Sequence, residues 1–300
     1  MKLSVAICTY DRPELLKLAL ESLARQQCSH PWQLFVVDNA CQDSIHAICD
    51  SFNVRYIPEP QLGLSHARNR ACSEADGRYI AFIDDDAQVR PHWAEAICTA
   101  FDRQPDRIGC VSGPVRPLWQ TSPPAWLNTD LQRYLSVVDW GPEGFFAPLE
   151  KMLPGVNIAF KRDAVQAAGG FATDSGRKGK SLLSNEEFEL RFRLHSQGLL
   201  SWYEPDAQVD HHIPAARTNW PWFRRRVYWQ GISDVVTRSH GIGSQVSLKH
   251  LARWILQPGN WRWAFSAPRT AAQALRAVKF WRNLGMLIQR IRMGRTSNAR

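Results

Sequence analysis

The sequence predicts an α/β fold, a mostly parallel β-sheet flanked by helices, and two patterns support that prediction. Between residues 3 and 112, short apolar runs alternate with segments in which apolar residues recur at helical spacing. This alternation is typical of βαβ units, whose parallel strands are joined by crossover helices. Polar residues follow three of the apolar runs. In an open parallel sheet, the carboxyl ends of the strands form the edge at which ligands bind.

The elements follow one another in a regular order along the first part of the chain. Leu3 to Thr9 is a continuous apolar run, as expected of a strand that is buried on both faces. Asp11 and Pro13 favour the start of a helix directly after it. Further strands are expected at 34–37, 54–57, 79–83 and 108–112, with helices at 65–75 and 92–103.

Residues 114–155 break this pattern with seven prolines, and we expect a long irregular insertion there. Loops of such length are usually functional or disordered. The regular pattern then returns as a strand at 156–160, helices from Arg162 and at 186–197, a strand at 199–203, and helices from Trp220 to the end.

The net charge of +9 is concentrated towards the end of the sequence. After Asp234 there are twelve Lys or Arg residues and no acidic residue, whereas residues 1–234 sum to −3. We therefore predict a near-neutral main domain over 1–235, with halves at 1–113 and 114–235, and a basic amphipathic helical extension over 236–300. A nucleic-acid-binding protein would carry basic charge across its main domain, so this function is disfavoured.

The beginning of the sequence and its cysteines favour a cytoplasmic location. Met1 to Thr9 lacks the features of a signal peptide, and no apolar stretch approaches the ~20 residues of a membrane helix. The seven cysteines are odd in number, form no C-x-x-C pair and end at Cys110. Reduced thiols are therefore expected, rather than disulfides or a zinc site.

The residues at the strand ends indicate a metal ion and a phosphate ligand. Asp84, Asp85 and Asp86 follow one strand, and three adjacent carboxylates repel one another unless a cation neutralises them. Oxygen ligands of this kind suit Mg²⁺ or Mn²⁺. Arg68, near the start of a helix, offers a forked donor to a phosphate group. The alternatives are a solvated acidic turn, and an exposed helix with Arg68 on its solvent face.

Four segments in this order, SVAICTYDRPELL, VVDN, GLSHARN and YIAFIDDD, resemble the N-terminal half of glycosyltransferase family 2. The resemblance continues in PGVNIAFKR (154–162), LLSNEEFELRFRLHSQG (182–198) and YEPDAQVDHHIPAAR (203–217), and covers residues 1 to about 235. It implies the GT-A fold and an inverting enzyme with Mn²⁺ or Mg²⁺ as cofactor. Such an enzyme moves a sugar from a nucleotide-diphosphate sugar to a saccharide or lipid-linked acceptor in polysaccharide or glycolipid assembly.

The resemblance also implies roles for individual residues. The donor-binding residues would be Thr9, Tyr10, Asp11, Asp38, Arg68, Asp84 and Asp85, with Asp38 bonding the base and Arg68 near the ribose or diphosphate. The metal ligands would be Asp84 and Asp86, the outer residues of an Asp-x-Asp motif, and His211, with His212 as the alternative. Glu187, where the family usually has Asp, would be the general base, with Glu186 as the alternative. One base suffices because inversion is a single displacement in which the acceptor hydroxyl loses its proton.

One enzyme class and two motifs compete with this interpretation. A nucleotidyltransferase also places metal-binding carboxylates on an α/β sheet, but it usually has a Gly-rich basic loop after the first strand, and CTYDRPELL has no Gly. GRKGKS (176–181) resembles a P-loop but lacks its first Gly and its strand, so we expect a mobile basic loop. The Arg- and aromatic-rich segment 220–233 is expected on the acceptor side rather than at a nucleic acid.

The basic extension leaves two hypotheses open. From Ala274, apolar residues recur at steps of three or four and form one face of a helix, namely Val278, Trp281, Leu284, Ile288 and Ile291. Most of the basic residues lie on the other face. Such a helix either lies in an anionic membrane surface, which would make the protein peripheral at the inner face of the membrane, or packs on the catalytic domain with its Arg side chains solvated.

Overall fold

The structure, a computed structural model, describes residues 1–104, 106–179, 181–262 and 264–297. The chain divides into two compact units. The sheet unit comprises Met1–Leu118, Ser136–Gly179 and Glu186–His212, and the helical unit comprises Trp119–Leu135, Lys180–Asn185 and Ile213–Arg300. The domain boundary that we predict after residue 235 falls inside the helical unit, and it stays a prediction.

Two sheets are formed by the described strands. In chain order the strands are β1 Leu3–Thr9, β2 Trp32–Asp38, β3 Arg55–Pro58, β4 Tyr79–Asp84, β5 Ala87–Val89, β6 Ile108–Ser112, β7 Val115–Trp119, β8 Phe145–Ala147, β9 Asn157–Lys161, β10 Leu200–Tyr203 and β11 Val209–Ile213. The large sheet has the order β3-β2-β1-β4-β9-β6-β10-β8, and the small sheet has the order β5-β11-β7.

The helices alternate with the strands in the first part of the chain and dominate the last part. They are α1 Pro13–Ala24, α2 Asp43–Ser51, α3 Leu64–Glu74, α4 Trp93–Arg103, α5 Thr129–Gln132, α6 Arg162–Ala167, α7 Glu186–Ser196, α8 Trp220–Ser239, α9 Leu248–Leu256, α10 Pro258–Trp261 and α11 Ala271–Ser297. Short 3-10 turns cover Arg133–Leu135 and Ala215–Arg217.

The mostly parallel sheet predicted from the sequence is confirmed, and its register places the predicted ligand residues side by side. Strand β1 lies between β2 and β4 and is parallel to both. Thr9 is level with Asp38 on β2, and Cys8 is level with Asp84 on β4. The three strands therefore end at one edge of the sheet. Strand β9 departs from the parallel pattern, since it runs antiparallel between β4 and β6.

Strand β1 shows why its sequence is apolar throughout. Successive side chains of a strand point to opposite faces of the sheet, and both faces of this one are covered. Val5 and Ile7 share one core cluster with Leu16 of α1, whereas Ala6 shares the other cluster with Ala71 of α3. A strand between two packed layers has no solvent-facing side, so a continuous apolar run results.

The segment 114–155 is largely irregular, as predicted, but it also contains short regular elements. These are strands β7 and β8 and the short helix α5. Pro117 lies inside β7, which is an edge strand of the small sheet. Proline is tolerated on an edge because its missing N–H then removes no ladder hydrogen bond. The prolines that mark this segment as irregular are therefore compatible with an edge strand.

Helices α8 and α11 of the helical unit approach each other backbone to backbone. A Cβ atom added at Gly231 would lie 2.0 Å from the carbonyl oxygen of Arg282, and one added at Gly285 would lie 2.1 Å from that of Tyr228. Beside this crossing, Arg282 donates from Nε to Asp234 Oδ2 at 2.6 Å, and Gln230 Nε2 donates to Asp234 Oδ1 at 3.0 Å. Glycine at both crossing positions is thus a steric requirement.

Packing within the helical unit buries the beginning of the apolar face predicted for α11. Of its residues, Ala274 and Val278 are buried, Trp281, Leu284 and Ile288 are half-buried, and Ile291 near the end of the helix is exposed. Both hypotheses for this face, a membrane surface and packing on the catalytic domain, stay predictions. In the described ranges, no helix is long and apolar enough to cross a membrane.

We predict that Gly285→Ala separates α8 from α11 and lowers the free energy of unfolding by about 1–3 kcal/mol, as overpacking does elsewhere. The measurement is urea denaturation followed by circular dichroism. The matched control is Gly294→Ala in the same helix, where an added Cβ meets nothing within 4 Å. Alanine there should be neutral or stabilising by up to about 1 kcal/mol, because it is the better helix former. Equal effects at both positions would contradict the close crossing.

Candidate active site

The carboxyl edge of β1, β2 and β4 holds a buried polar cluster centred on Asp85. Thr9 donates from Oγ1 to Asp85 Oδ2 at 2.7 Å. Arg12 Nη1 lies 3.0 Å from Asp85 Oδ1 and 3.1 Å from Asp86 Oδ2, so one guanidinium pairs with two carboxylates. The sequence marks this segment only as a helix start, and Arg12 is therefore a site residue that sequence reasoning missed. Arg12 directly follows Asp11, one of the polar residues at the predicted end of the first strand, and this position could have identified it.

The aspartate cluster is buried, and its carboxylates are only partly neutralised. Burial, together with the charges of Asp86 and Asp84, raises the pKa of Asp85 to about 6, although Arg12 and the Thr9 hydroxyl lower it. Carboxyl groups with such a pKa are stabilised in their ionised form by an additional positive charge. The cluster therefore favours a cation, as the three aspartates in sequence suggest.

His211 is brought to Asp86 by the pairing of two short strands. Strand β5 follows the aspartates directly and pairs antiparallel with β11, which sets His211 level with Ala87. His211 Nε2 lies 3.3 Å from Asp86 Oδ1, and the backbone N–H of His212 donates to the carbonyl of Asp86 at 2.8 Å. Adjacent residues of a strand point to opposite faces, so His211 and not His212 faces the aspartate.

The donors at this point fit a divalent cation held partly by the protein. Nδ1 of His211 is buried, with no hydrogen-bond partner among the described residues. Asp86 and His211 already lie in contact, and a carboxylate suits Mn²⁺ or Mg²⁺. Within the described ranges, no three His, Cys, Asp or Glu side chains converge on a ready-made site. A shell completed by phosphate oxygens, as is usual for Mg²⁺, matches this two-residue set.

Arg68 lies at the centre of the second polar cluster and is buried, with 1% of its surface exposed. Its Nη1 donates to Glu186 Oε1 at 2.9 Å, and its Nη2 donates to the carbonyl of Gly155 at 3.0 Å. Nη2 also lies 3.5 Å from Asp84 Oδ1. The guanidinium thus connects the Asp-x-Asp motif at the end of β4 with the acidic pair that opens α7.

Aromatic rings and a glycine shape the space around this guanidinium. Its Cζ lies 5.5 Å from the ring centroids of both Phe82 and Phe171. A Cβ added at Gly155 would lie 2.8 Å from Nη2, so glycine is needed where the backbone approaches Arg68. Burial lowers the pKa of Arg68, but the charges of Glu186 and Asp84 outweigh burial and the pKa is raised. Arg68 therefore stays charged and neutralises Glu186.

Glu187 differs from its neighbour in both exposure and protonation. Its side chain is half-buried, whereas Glu186 is buried against Arg68. Burial and the charge of Glu186 raise the pKa of Glu187 to about 7, although Arg68 opposes this shift. A carboxylate with a pKa near 7 is well matched to accept a proton at neutral pH. Of the two candidate bases, the geometry favours Glu187.

The predicted nucleotide-binding residues fall into a buried group and an exposed group. Asp38 is buried, and its carboxylate accepts from the backbone N–H groups of Ala40 and Gln42, at 2.9 and 2.6 Å, and from the Tyr56 hydroxyl at 3.2 Å. These hydrogen-bond partners belong to the protein itself, so a contact between Asp38 and the base of a nucleotide stays a prediction. Tyr10 is 51% exposed, and Asp11 is exposed with a left-handed φ of 55°.

Asn39, a polar residue that the sequence places at the end of β2, holds the neighbouring loop. Its Oδ1 accepts from the N–H of Gly63 at 2.7 Å, and its Nδ2 donates to the carbonyls of Glu59 and Gln61 at 2.9 and 2.8 Å. These bonds fix the loop that leads into α3 and therefore the position of Arg68. The Asn of the VVDN motif is suited to this function, because its side chain can accept from one backbone group and donate to others at the same time.

The segment that we predict as a mobile basic loop is anchored at its beginning. Ser65 donates from Oγ to the carbonyl of Ser175 at 2.9 Å, and Leu64 N–H donates to the carbonyl of Arg177 at 2.9 Å. Gly176 has a φ of +82° and lies beside Ser65 and Glu186. Lys180 of this loop lies outside the described residues. Mobility of the remainder stays a prediction.

A parallel sheet that ends in polar residues at its carboxyl edge is the arrangement at which open α/β sheets bind their ligands. Residues 4–141 match Glycosyl transferase family 2. The glucosyl-dolichyl phosphate glucuronosyltransferase of Haloferax volcanii is 30% identical over 246 residues, covering 79% of this chain and 77% of that protein. The chain belongs to glycosyltransferase family 2 and is a glycosyltransferase.

Two further relatives agree with this assignment. The succinoglycan biosynthesis protein ExoM of Rhizobium meliloti is 25% identical over 257 residues, covering 81% of this chain and 78% of that protein. The mannosyltransferase PcManGT of Pyrobaculum calidifontis, solved with GDP-Man and Mn²⁺, superposes with a TM-score of 0.56 at 18% identity, covering 99% of this chain and 75% of that one. This similarity confirms the GT-A fold. None of these relatives supports the nucleotidyltransferase or nucleic-acid-binding alternatives.

We predict that Arg68→Ala destabilises the fold by about 3–5 kcal/mol, because it leaves Glu186 buried and unpaired. The measurement is urea denaturation. Arg70→Ala is the matched control, since Arg70 is on the same helix and pairs with Glu74 at the surface. Loss of a surface ion pair costs at most about 1 kcal/mol. Similar losses for both variants would show that the buried ion pair does not hold α7 to the sheet edge.

Proposed function

We propose that this glycosyltransferase is an inverting, metal-dependent enzyme that transfers a sugar from a nucleotide-diphosphate sugar to an acceptor hydroxyl. The observation that carries the proposal is the division of the acidic pair. Arg68 neutralises Glu186, while Glu187 has a pKa near 7 and is partly exposed. A single available base is what a single displacement requires.

In the proposed reaction, the oxygen of the acceptor hydroxyl attacks the anomeric carbon of the donor sugar. As the new C–O bond forms, the acceptor proton passes to the carboxylate of Glu187. The bond between the anomeric carbon and the diphosphate oxygen breaks, and the nucleoside diphosphate leaves with that electron pair. Attack and departure take place on opposite sides of the carbon, so its configuration is inverted.

Asp86 and His211 would hold the divalent cation, with Asp84 near the same edge. Mn²⁺ in the related mannosyltransferase structure supports a divalent metal, and the carboxylate donors suit Mn²⁺ or Mg²⁺. When bound, the cation would supply charge neutralisation of the leaving diphosphate. Arg12 supports the same edge from the protein side by pairing with Asp85 and Asp86.

The remaining finer assignments concern the substrates and the location. Thr9, Tyr10, Asp11 and Asp38 surround the ends of β1 and β2, where we place the nucleotide of the donor. The name of the Haloferax relative refers to a dolichyl phosphate, which supports a lipid-linked saccharide as the acceptor class. A lipid-linked acceptor and a soluble donor would meet at the cytoplasmic membrane surface, where the basic helical unit would hold the enzyme.

We predict that EDTA abolishes turnover and that Mn²⁺ or Mg²⁺ restores it, because the leaving diphosphate then loses and regains its counter-charge. The measurement is release of nucleoside diphosphate from candidate donors. Asp86→Asn should weaken metal-dependent donor binding, measured by calorimetry. Asp210→Asn is the control, since Asp210 is next to His211 but pairs with Arg90. Full activity in EDTA would refute metal dependence.

We predict that Glu187→Gln lowers turnover by about 10²-fold or more and leaves donor affinity nearly unchanged. Because only the ionised carboxylate accepts a proton, kcat/KM of the parent enzyme should rise with pH through an apparent pKa near 7. This rising limb should be absent in the variant. The comparison variant is Glu186→Gln. An inactive Glu186→Gln beside an active Glu187→Gln would show that the two roles are exchanged.

A further inference from the structure

The helical unit contains a basic groove that the proposed transfer reaction does not use. It has a volume of about 380 Å³ and is lined by Trp254, Gly259, Asn260, Arg276 and Lys279. Arg276 and Lys279 are one helical turn apart on α11, and both are exposed. Lys279 Nζ lies 5.2 Å from the ring centroid of Trp254. Asn260 Nδ2 donates to the carbonyl of Trp254 at 2.6 Å, which fixes one wall of the groove.

The charged residues that line this groove have one sign. Arg276 and Lys279 are both positive, and the sequence has no acidic residue after Asp234, which pairs with Arg282. Two cations that line an open groove attract an anion. A phosphate group fits this setting, because the Arg and Lys side chains supply donors to its oxygens.

Exposed apolar side chains lie on the same part of the helical unit. Leu256, at the end of α9, is 70% exposed, Trp261 is 44% exposed and Phe265 is 57% exposed. Trp261 Nε1 donates to the carbonyl of Ile255 at 2.6 Å, and its ring lies 5.9 Å from that of Phe265. In the sequence, Leu256 precedes Gly259 and Asn260 of the groove, and Trp261 and Phe265 follow them. Clustered exposed apolar residues of this size mark an interaction surface.

We propose that this surface binds an anionic lipid bilayer, with a phospholipid phosphate in the groove and Leu256, Trp261 and Phe265 in the acyl boundary. The two parts of this surface match the two layers of an anionic bilayer. Arg276 and Lys279 of the groove would face the negative headgroups, and the apolar side chains would enter the apolar layer beneath them. Trp favours this interface. A free phosphate ion would satisfy the groove but would leave the three apolar side chains in water. The inference rests on the proposed function in one respect only, namely that the acceptor is lipid-linked and therefore lies at the membrane.

The test is co-sedimentation of the full chain with vesicles of phosphatidylcholine alone and with increasing phosphatidylglycerol. The parent protein should bind only the anionic vesicles, and binding should fall with added salt. Arg276→Gln with Lys279→Gln should weaken binding roughly tenfold or more. Leu256→Ser should weaken it several-fold without loss of core packing, because Leu256 is exposed. The matched control is Lys17→Gln with Arg25→Gln, which removes the same charge from two exposed sites, one on α1 and one directly after it, and should bind like the parent.

The outcomes separate this inference from the proposed reaction. Nucleoside diphosphate release from the donor without vesicles should be the same for the parent and the groove variants. Parent-like vesicle binding by both groove variants would overturn the inference, as would failure of the parent to bind anionic vesicles. Equal losses in the groove and control variants would attribute binding to net charge and would also overturn it. Vesicle binding by a protein that releases no nucleotide would count against the reaction and not against the groove.

Discussion

The buried guanidinium of Arg68 is the interaction on which the candidate active site depends. It lies against two phenylalanine rings and pairs with Glu186, which opens α7, and with Asp84, which ends β4. These residues are far apart in sequence, so the ion pairs bring together the acidic pair and the Asp-x-Asp motif. A charge at this depth is stable only with such partners, and a partner left alone would be buried at a high cost.

The same ion pair gives two adjacent glutamates different surroundings. Glu186 is paired with Arg68, whereas burial and the charge of Glu186 raise the pKa of Glu187 to about 7, although Arg68 opposes this shift. That shift favours the protonated carboxyl in the folded chain. The fold therefore loses stability as pH rises from the ordinary pKa of 4.5 towards 7. Under the proposed function, the carboxylate that accepts the proton would also be a local source of instability, as at many active sites.

The sequence predicts the sheet, its order of elements and the strand-end residues, because parallel strands impose a simple pattern on buried side chains. Through family resemblance it also names Asp86 and His211 as ligands of one metal ion. The structure brings these two side chains to 3.3 Å from each other, and the metal itself stays a prediction. It does not predict that Arg12 pairs with the aspartates or that Asp38 bonds its own loop, because both depend on which donors the fold brings within 3 Å. Such distances are set by packing between residues that are far apart in the chain. A single sequence gives the types of these residues but not which of them come into contact.

The helical unit shows a second limit of prediction from sequence, which concerns amphipathic helices. A period of three to four identifies an apolar face but carries no information about what covers it. In α11 the first residues of that face are buried, and Gly285 allows the close approach of α8 farther along the helix. Leu256, Trp261 and Phe265 have exposed side chains and lie in short segments with too few residues to show a period. A surface that remains apolar after the unit has packed is therefore identified from burial, and its partner is identified from the sign of the charge around it.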